Sequence, residues 1–214
     1  MEKIDRAIKF GKSLQGVGRG QTSDIKDHYH NDKGPFWPSN GPVPSMNRIK
    51  SEGCVCTGFI ALMMRAAGIR MPFLERPPLL DERGDTVLSF GLADTDEWLY
   101  HYRLRVEKFS PMASDYPRGT LLLRPYNPFD MGHMSMLIED SSEAKPVIWC
   151  DCIHTIGVSF GEDDPEVVKV SPVHRHHWMY WKGYESEWSQ DFGVQFGNVG
   201  YYTHVLRPEY YVRS

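Results

Sequence analysis

The chain has 214 residues, 41% of them hydrophobic and 24% charged, with a formal net charge of −4. That is enough for one sizeable globular domain, and the mild acidity gives no basic surface of the kind nucleic-acid binding requires. No apolar run approaches the ~20 residues of a membrane span, and the charged, amphipathic start MEKIDRAIKFGKSLQG does not have the form of a secretory signal. The expected location is the cytoplasm, unless the protein leaves by a signal-independent route, as an effector or with a phage or virus, or is the mature form of a secreted one.

Glu2 to about Leu14 reads as a helix, with Ile4, Ala7, Ile8 and Gly11 on one face. Residues 16–53 are rich in Gly, Pro, Asn and Asp and read as a long irregular loop, in which Phe36 and Trp37 either line a groove or anchor the loop on the core. In EGCVCTGFIALMMRAAGI, from Glu52 to Ile69, the residues Phe59, Leu62, Met63, Ala66 and Ala67 recur at three- and four-residue steps, so a helix is expected there, with Gly68 as its stop. Residues 71–92 carry Pro72, Pro77, Pro78 and Gly84 and read as a second excursion. DTDEWLYHYRLRVEKF has Asp94 or Thr95 as a cap and places Trp98, Leu99, Tyr102 and Val106 at helical steps.

From Arg118 the texture turns to strands: GTLLLRPY, GHMSMLIED, KPVIWCDCIH, GVSFG and finally YYTHVLRPEYY, with the aromatic, irregular HRHHWMYWKGYESEWSQDFG before the last. Helices first and an antiparallel meander after them define an α+β class. The expected architecture is a single domain over 1–214, with N-terminal helices packed on a central antiparallel sheet of about five to six strands. Long loop insertions are expected at about 16–53, 71–117 and 161–198.

Four cysteines fall in two pairs, Cys54 with Cys56 and Cys150 with Cys152. Four thiolates can hold a structural zinc in a binding module, although a one-residue gap is tighter than the usual spacing. Alternatively one cysteine is a nucleophile and the rest fill the core. A disulfide framework has least support in a chain of this length without an export signal. Cys56 sits where a helix begins, and unpaired N–H groups and the dipole favour a thiolate there; a small buried hydrophobe is the other reading of the same position.

A nucleophilic cysteine needs an imidazole base and a group to orient that base. His133 opens one strand and His154 ends another, and a hairpin through Glu139 to Lys145 would bring them to one end of the sheet. Alternation places Cys150, Cys152 and His154 on one face, and a helix across that face would present Cys56 to both imidazoles. The group His174, His176 and His177 reads as part of a solvated loop rather than a metal site, and GEDDPE as a solvated turn.

VCTGFIALMMRAAGI resembles the nucleophile helix of the NlpC/P60 family, papain-like cysteine peptidases of bacterial cell walls, whose motif is Asp-Cys-Ser-Gly followed by an apolar helix. RGTLLLRPYNPFDMGHMSMLIED resembles the family's Pro-Gly-Asp-Leu strand, loop and His-Val-Gly-Ile strand. VIWCDCIHTIGVSF resembles the next strand with its second histidine, and AIKFGKSLQGV the first helix. The resemblance implies a papain-like fold and a hydrolase that needs no cofactor. In it Cys56 is the nucleophile, His133 the general base, His154 the residue that orients the base, and Thr57 a neighbour of the oxyanion hole. The implied substrate is an amide in a peptidoglycan stem peptide containing D-amino acids; relatives of this layout also act as acyltransferases or amidases on lipid or protein amides. Val55 stands where the family has Asp, and Arg118-Gly119-Thr120 where it has Pro-Gly-Asp.

Overall fold

A computed structural model describes residues 1–18, 42–54, 56–70, 79–80, 86–88, 95–124, 133–156, 167–173 and 202–212. In chain order the helices are α1 (Glu2–Ser13), α2 (Met46–Glu52), α3 (Cys56–Ala66), α4 (Thr95–His101) and α5 (Pro208–Tyr211). The strands are β1 (Leu79–Leu80), β2 (Thr86–Leu88), β3 (Glu107–Lys108), β4 (Leu121–Arg124), β5 (His133–Leu137), β6 (Asp151–Ile156), β7 (Val167–Pro172) and β8 (His204–Leu206). One six-stranded sheet in the order β3-β8-β4-β5-β6-β7, antiparallel throughout, carries the molecule, and β1 and β2 form a separate pair.

The first helix forms as its periodicity dictates, burying Ile4, Ala7, Ile8 and Gly11. Gly11 is a close-approach position: a Cβ there would stand 2.8 Å from the Met63 sulfur of α3. Helix α3 is apolar on more than the expected stripe, for Gly58 through Met64 are all buried while Ala66 is only half-buried. It is enclosed because it packs against α1 on one side and β5 and β6 on the other. Gly68, at φ +64°, ends it.

The sheet has two covered faces. On one, Leu121, Leu123, Met134, Met136, Ile153, Val168 and Leu206 join Ile4, Phe59, Leu62 and Met63 in the larger core. On the other, Leu122, Leu137, Cys152 and Val205 pack with Phe109, Tyr116, Val147, Cys150 and Tyr202. Both faces being covered is why β4 and β5 are buried at every position rather than alternating inside and out. Gly119, at φ +88° just before β4, has no room for a Cβ against Ile4, and its carbonyl accepts the buried Tyr211 hydroxyl.

Several expected segments differ. The stretch 16–53 contains α2, whose N-cap Ser45 accepts from the Arg48 N–H and whose Ile49 is buried. The excursion at 71–117 contains β1, β2, α4 and β3; α4 stops at His101, and Glu107 pairs with Val205 as sheet edge instead of continuing the helix. Within 161–198 lies β7, in register with all of β6. KPVIWCDCIH is not one strand: Pro146 leads into a single 3-10 turn, Val147–Trp149, before β6. YYTHVLRPEYY is a strand only over His204–Leu206, because Pro208, which cannot donate to a ladder, starts α5. Phe36, Trp37, GVSFG, GEDDPE and the group His174, His176 and His177 lie outside the described residues. No described helix is long and apolar enough to cross a membrane.

Candidate active site

Strand register assembles a row of polar side chains on the face away from α3. Arg124 is the direct partner of His133 across β4 and β5. The β5–β6 register, Met136 to Ile153 and Leu137 to Cys152, sets Ser135 opposite His154 when continued, and His154 pairs with Lys169 of β7. Alternation puts Arg124, His133, Ser135 and His154 on the face of Leu122, Leu137 and Cys152. All four are buried, His154 completely and Arg124 at 5% exposure.

The His133 and His154 rings lie 6.0 Å apart between centroids and perpendicular. His154 Nε2 is 2.8 Å from Ser171 Oγ on β7, a contact that holds the ring from the next strand. Tyr202 also stands against His133, again 6.0 Å between centroids. Burial pulls His133 well below the ordinary histidine range, and the Arg124 guanidinium and then His154 lower it further. Burial likewise lowers His154 to about 3, a backbone hydrogen bond at Thr155 opposing and Lys169 reinforcing the shift. Both rings are therefore neutral at neutral pH, and neutral imidazole is the form that accepts a proton.

Cys56 opens α3 and is half-buried, with Thr57 beside it likewise half-buried. The backbone places that helix start at the His133 end of the sheet. The Cys54 N–H donates to the Gly18 carbonyl at 3.3 Å, Gly18 bridges to Val167, and Val167 pairs with Ile156, the position facing His133 when the β5–β6 register is continued. Burial raises the Tyr202 phenol well above the usual range; the Cys152 thiol and, more weakly, the Cys56 thiol push the same way, while Ser135 and Arg124 act against them.

The route by which the cysteine approaches the histidines is corrected. The helix does not lie across the Cys150, Cys152 and His154 face; it packs on the opposite one, against Met134, Met136 and Ile153. The physical reason is that the side of β5 bearing two methionines offers an apolar surface, whereas the other carries His133 and Ser135. Cys150 and Cys152 accordingly do not pack beneath α3. Burial pushes their thiols up to about 11 and about 12, so they are inert as nucleophiles at neutral pH. Cys54 is buried in the helix-side core. The four-cysteine zinc site is not formed: Cys54 and the Cys150–Cys152 pair belong to opposite sides of the sheet, and among the described residues no group of three or more His, Cys, Asp or Glu is placed to hold a metal ion.

Three residues of this neighbourhood escape sequence reasoning: Arg124, Tyr202 and Ser171. Arg124 had a signal, being a charge that ends the apolar run LLL directly before the turn-forming residue types of PYNP. Tyr202 is one of many aromatics in its region, and Ser171 belongs to a strand that the sequence pattern did not reveal. In comparisons with known proteins the chain matches no family model, no characterised protein and no solved structure.

Proposed function

We propose that the protein is a cysteine hydrolase of the NlpC/P60 kind with a papain-like fold, acting on an amide bond, with a peptidoglycan stem peptide as substrate. What supports the reading is the perpendicular pair His133 and His154 at one end of the sheet, with Cys56 opening the buried helix that packs on the same strands. In this mechanism His133 takes the thiol proton as Cys56 sulfur bonds to the substrate carbonyl carbon. The C–N bond then breaks, and His133 returns the proton to the leaving amine. Water, deprotonated by the same imidazole, releases the acyl group. His154 is a positioning residue, itself held by Ser171. The backbone N–H groups at the start of α3, beside Thr57, supply a place for the developing oxyanion.

Incubation with purified peptidoglycan of several wall types, followed by mass spectrometry of released fragments, tests this. Fragment release by the natural chain and none by a folded Cys56→Ala variant is the expected result; release by that variant rules the mechanism out. A Cys56-linked acyl adduct from a lipid or protein amide, with no wall fragment released, would instead move the reading to acyl transfer on the same residues.

A further inference from the structure

We propose that Ser171 is a positioning residue of the Cys56 site: its hydroxyl holds the His154 ring in one orientation, and through that ring it sets the stance of His133. The inference rests on His133 being the base that serves Cys56.

Register brings Ser171 to His154. Ser171 pairs directly with Cys152 and Lys169 with His154, so Ser171 is the diagonal neighbour of His154 across β6 and β7. A ring side chain reaches a diagonal neighbour on its own face, and Ser171 Oγ lies 2.8 Å from His154 Nε2. A partner at that nitrogen keeps the imidazole from turning over and exchanging the places of its two nitrogens. The hydroxyl carries no charge, so it holds the ring without drawing a proton onto it. His133 stands perpendicular to His154 at 6.0 Å, and a turn of the His154 ring would change the surface that His133 meets.

The strand that carries Ser171 is itself well held. It pairs with β6 at every residue, and its first half is flanked on the other side as well. There the Gly16 N–H donates to the Val168 carbonyl at 2.9 Å, the Val168 N–H donates to the Val17 carbonyl at 2.9 Å, and Gly18 bridges to Val167. The Gly18 carbonyl accepts from the Cys54 N–H, two residues before Cys56. One strand thus supports the histidine and, through Gly18, the turn that leads into α3.

The test joins a spectroscopic readout to a chemical one in the full chain. Long-range nitrogen–proton NMR of labelled imidazoles reports the tautomer and surroundings of His154, and the rate of Cys56 alkylation by iodoacetamide, mapped by mass spectrometry, reports the service of the base. We expect one His154 tautomer in the natural chain. Folded Ser171→Ala shifts the His154 signals and slows Cys56 alkylation about tenfold, a fraction of what a general base supplies. Ser171→Thr, which keeps the hydroxyl, restores both. Freely exchanging His154 tautomers in the natural chain overturn the proposal, and this arm stands even if a variant fails to fold. In folded Ser171→Ala, an unmoved His154 or an unchanged Cys56 rate overturns it too, and each leaves Cys56 as nucleophile untouched. If Cys56 of the natural chain reacts no faster than a small thiol in solution, it is the nucleophile reading that fails, and the role of Ser171 falls with it.

Discussion

The two faces of the central sheet are built from the same strands and do different work. The face under α1 and α3 is lined by Leu121, Leu123, Met134, Met136 and Ile153, with side chains drawn from the helices and no polar group from β5. The opposite face starts as an equally apolar cluster around Leu122, Leu137 and Val205, and then, toward one end, gives way to His133, Ser135, His154 and Arg124. Burying a large apolar side chain contributes about 1.5–3 kcal/mol, whereas burying a polar group without compensation costs about as much or more. Polar residues gathered at one end of an interior face therefore have to find partners there, as His154 does in Ser171. On the function proposed above, that end of the face serves chemistry and the rest serves structure.

If that division is right, substitutions on the two faces separate cleanly. The largest effect belongs to the site: in the proposed reaction His133→Ala lowers the turnover number of the folded protein by about a thousandfold or more, far beyond what its cost in stability would cause. A His133→Ala chain as active as the natural one would dissolve the comparison. On the helix face, Met63→Ala, which empties space between Gly11 and the sheet, destabilises by about 2–5 kcal/mol. Urea denaturation measures the loss; a shift under ~1 kcal/mol would mean that this face is not the one holding the fold.

Acid sharpens the contrast next. His154 sits at about 3 when folded against an ordinary 6.5, and His133 is lowered in the same sense. Below pH 6.5 the unfolded chain binds protons that these folded rings refuse. Their contribution is therefore neutral above pH 6.5, and stability falls as pH drops from there, by about 1.4 kcal/mol per pH unit for each such histidine, for His154 as far as about pH 3. Denaturation at pH 8, 6 and 5 should show the decline, and His154→Gln should flatten part of it; a level profile would place the rings in water instead. The smallest effect lies far from both faces: Ser45→Ala removes the α2 cap and costs about 1 kcal/mol, readable as a shift in the same denaturation curve.

What could be read from the sequence follows the strength of each physical signal. Helix α1 was legible because Ile4, Ala7, Ile8 and Gly11 alternate with charges, and the α+β order and the antiparallel pairing of the His133 and His154 strands were legible because turn-forming residues separate them. The choice of sheet face was not read correctly, although HMSML holds the clue: Met134 and Met136 form one side, His133 and Ser135 the other, and a helix as apolar as α3 takes the methionines. Short elements escaped for a different reason. Helix α2 is seven residues in a proline-rich setting, and β7 is buried only in part along its length, so neither carries enough periodicity to stand out. Arg124 and Tyr202 escaped because proximity to His133 is made by register and by chain return, which no local pattern encodes.

The most direct test of the account compares the four thiols within one folded molecule. Limiting iodoacetamide at pH 7, with each modified cysteine identified by mass spectrometry, should label Cys56 first and by a wide margin. Cys150 and Cys152, buried and with thiols raised to about 11 and about 12, should stay unmodified, as should the buried Cys54. Even labelling of all four, or Cys56 trailing the others, would contradict the claim that the start of α3 and the polar end of the sheet together form a cysteine active site.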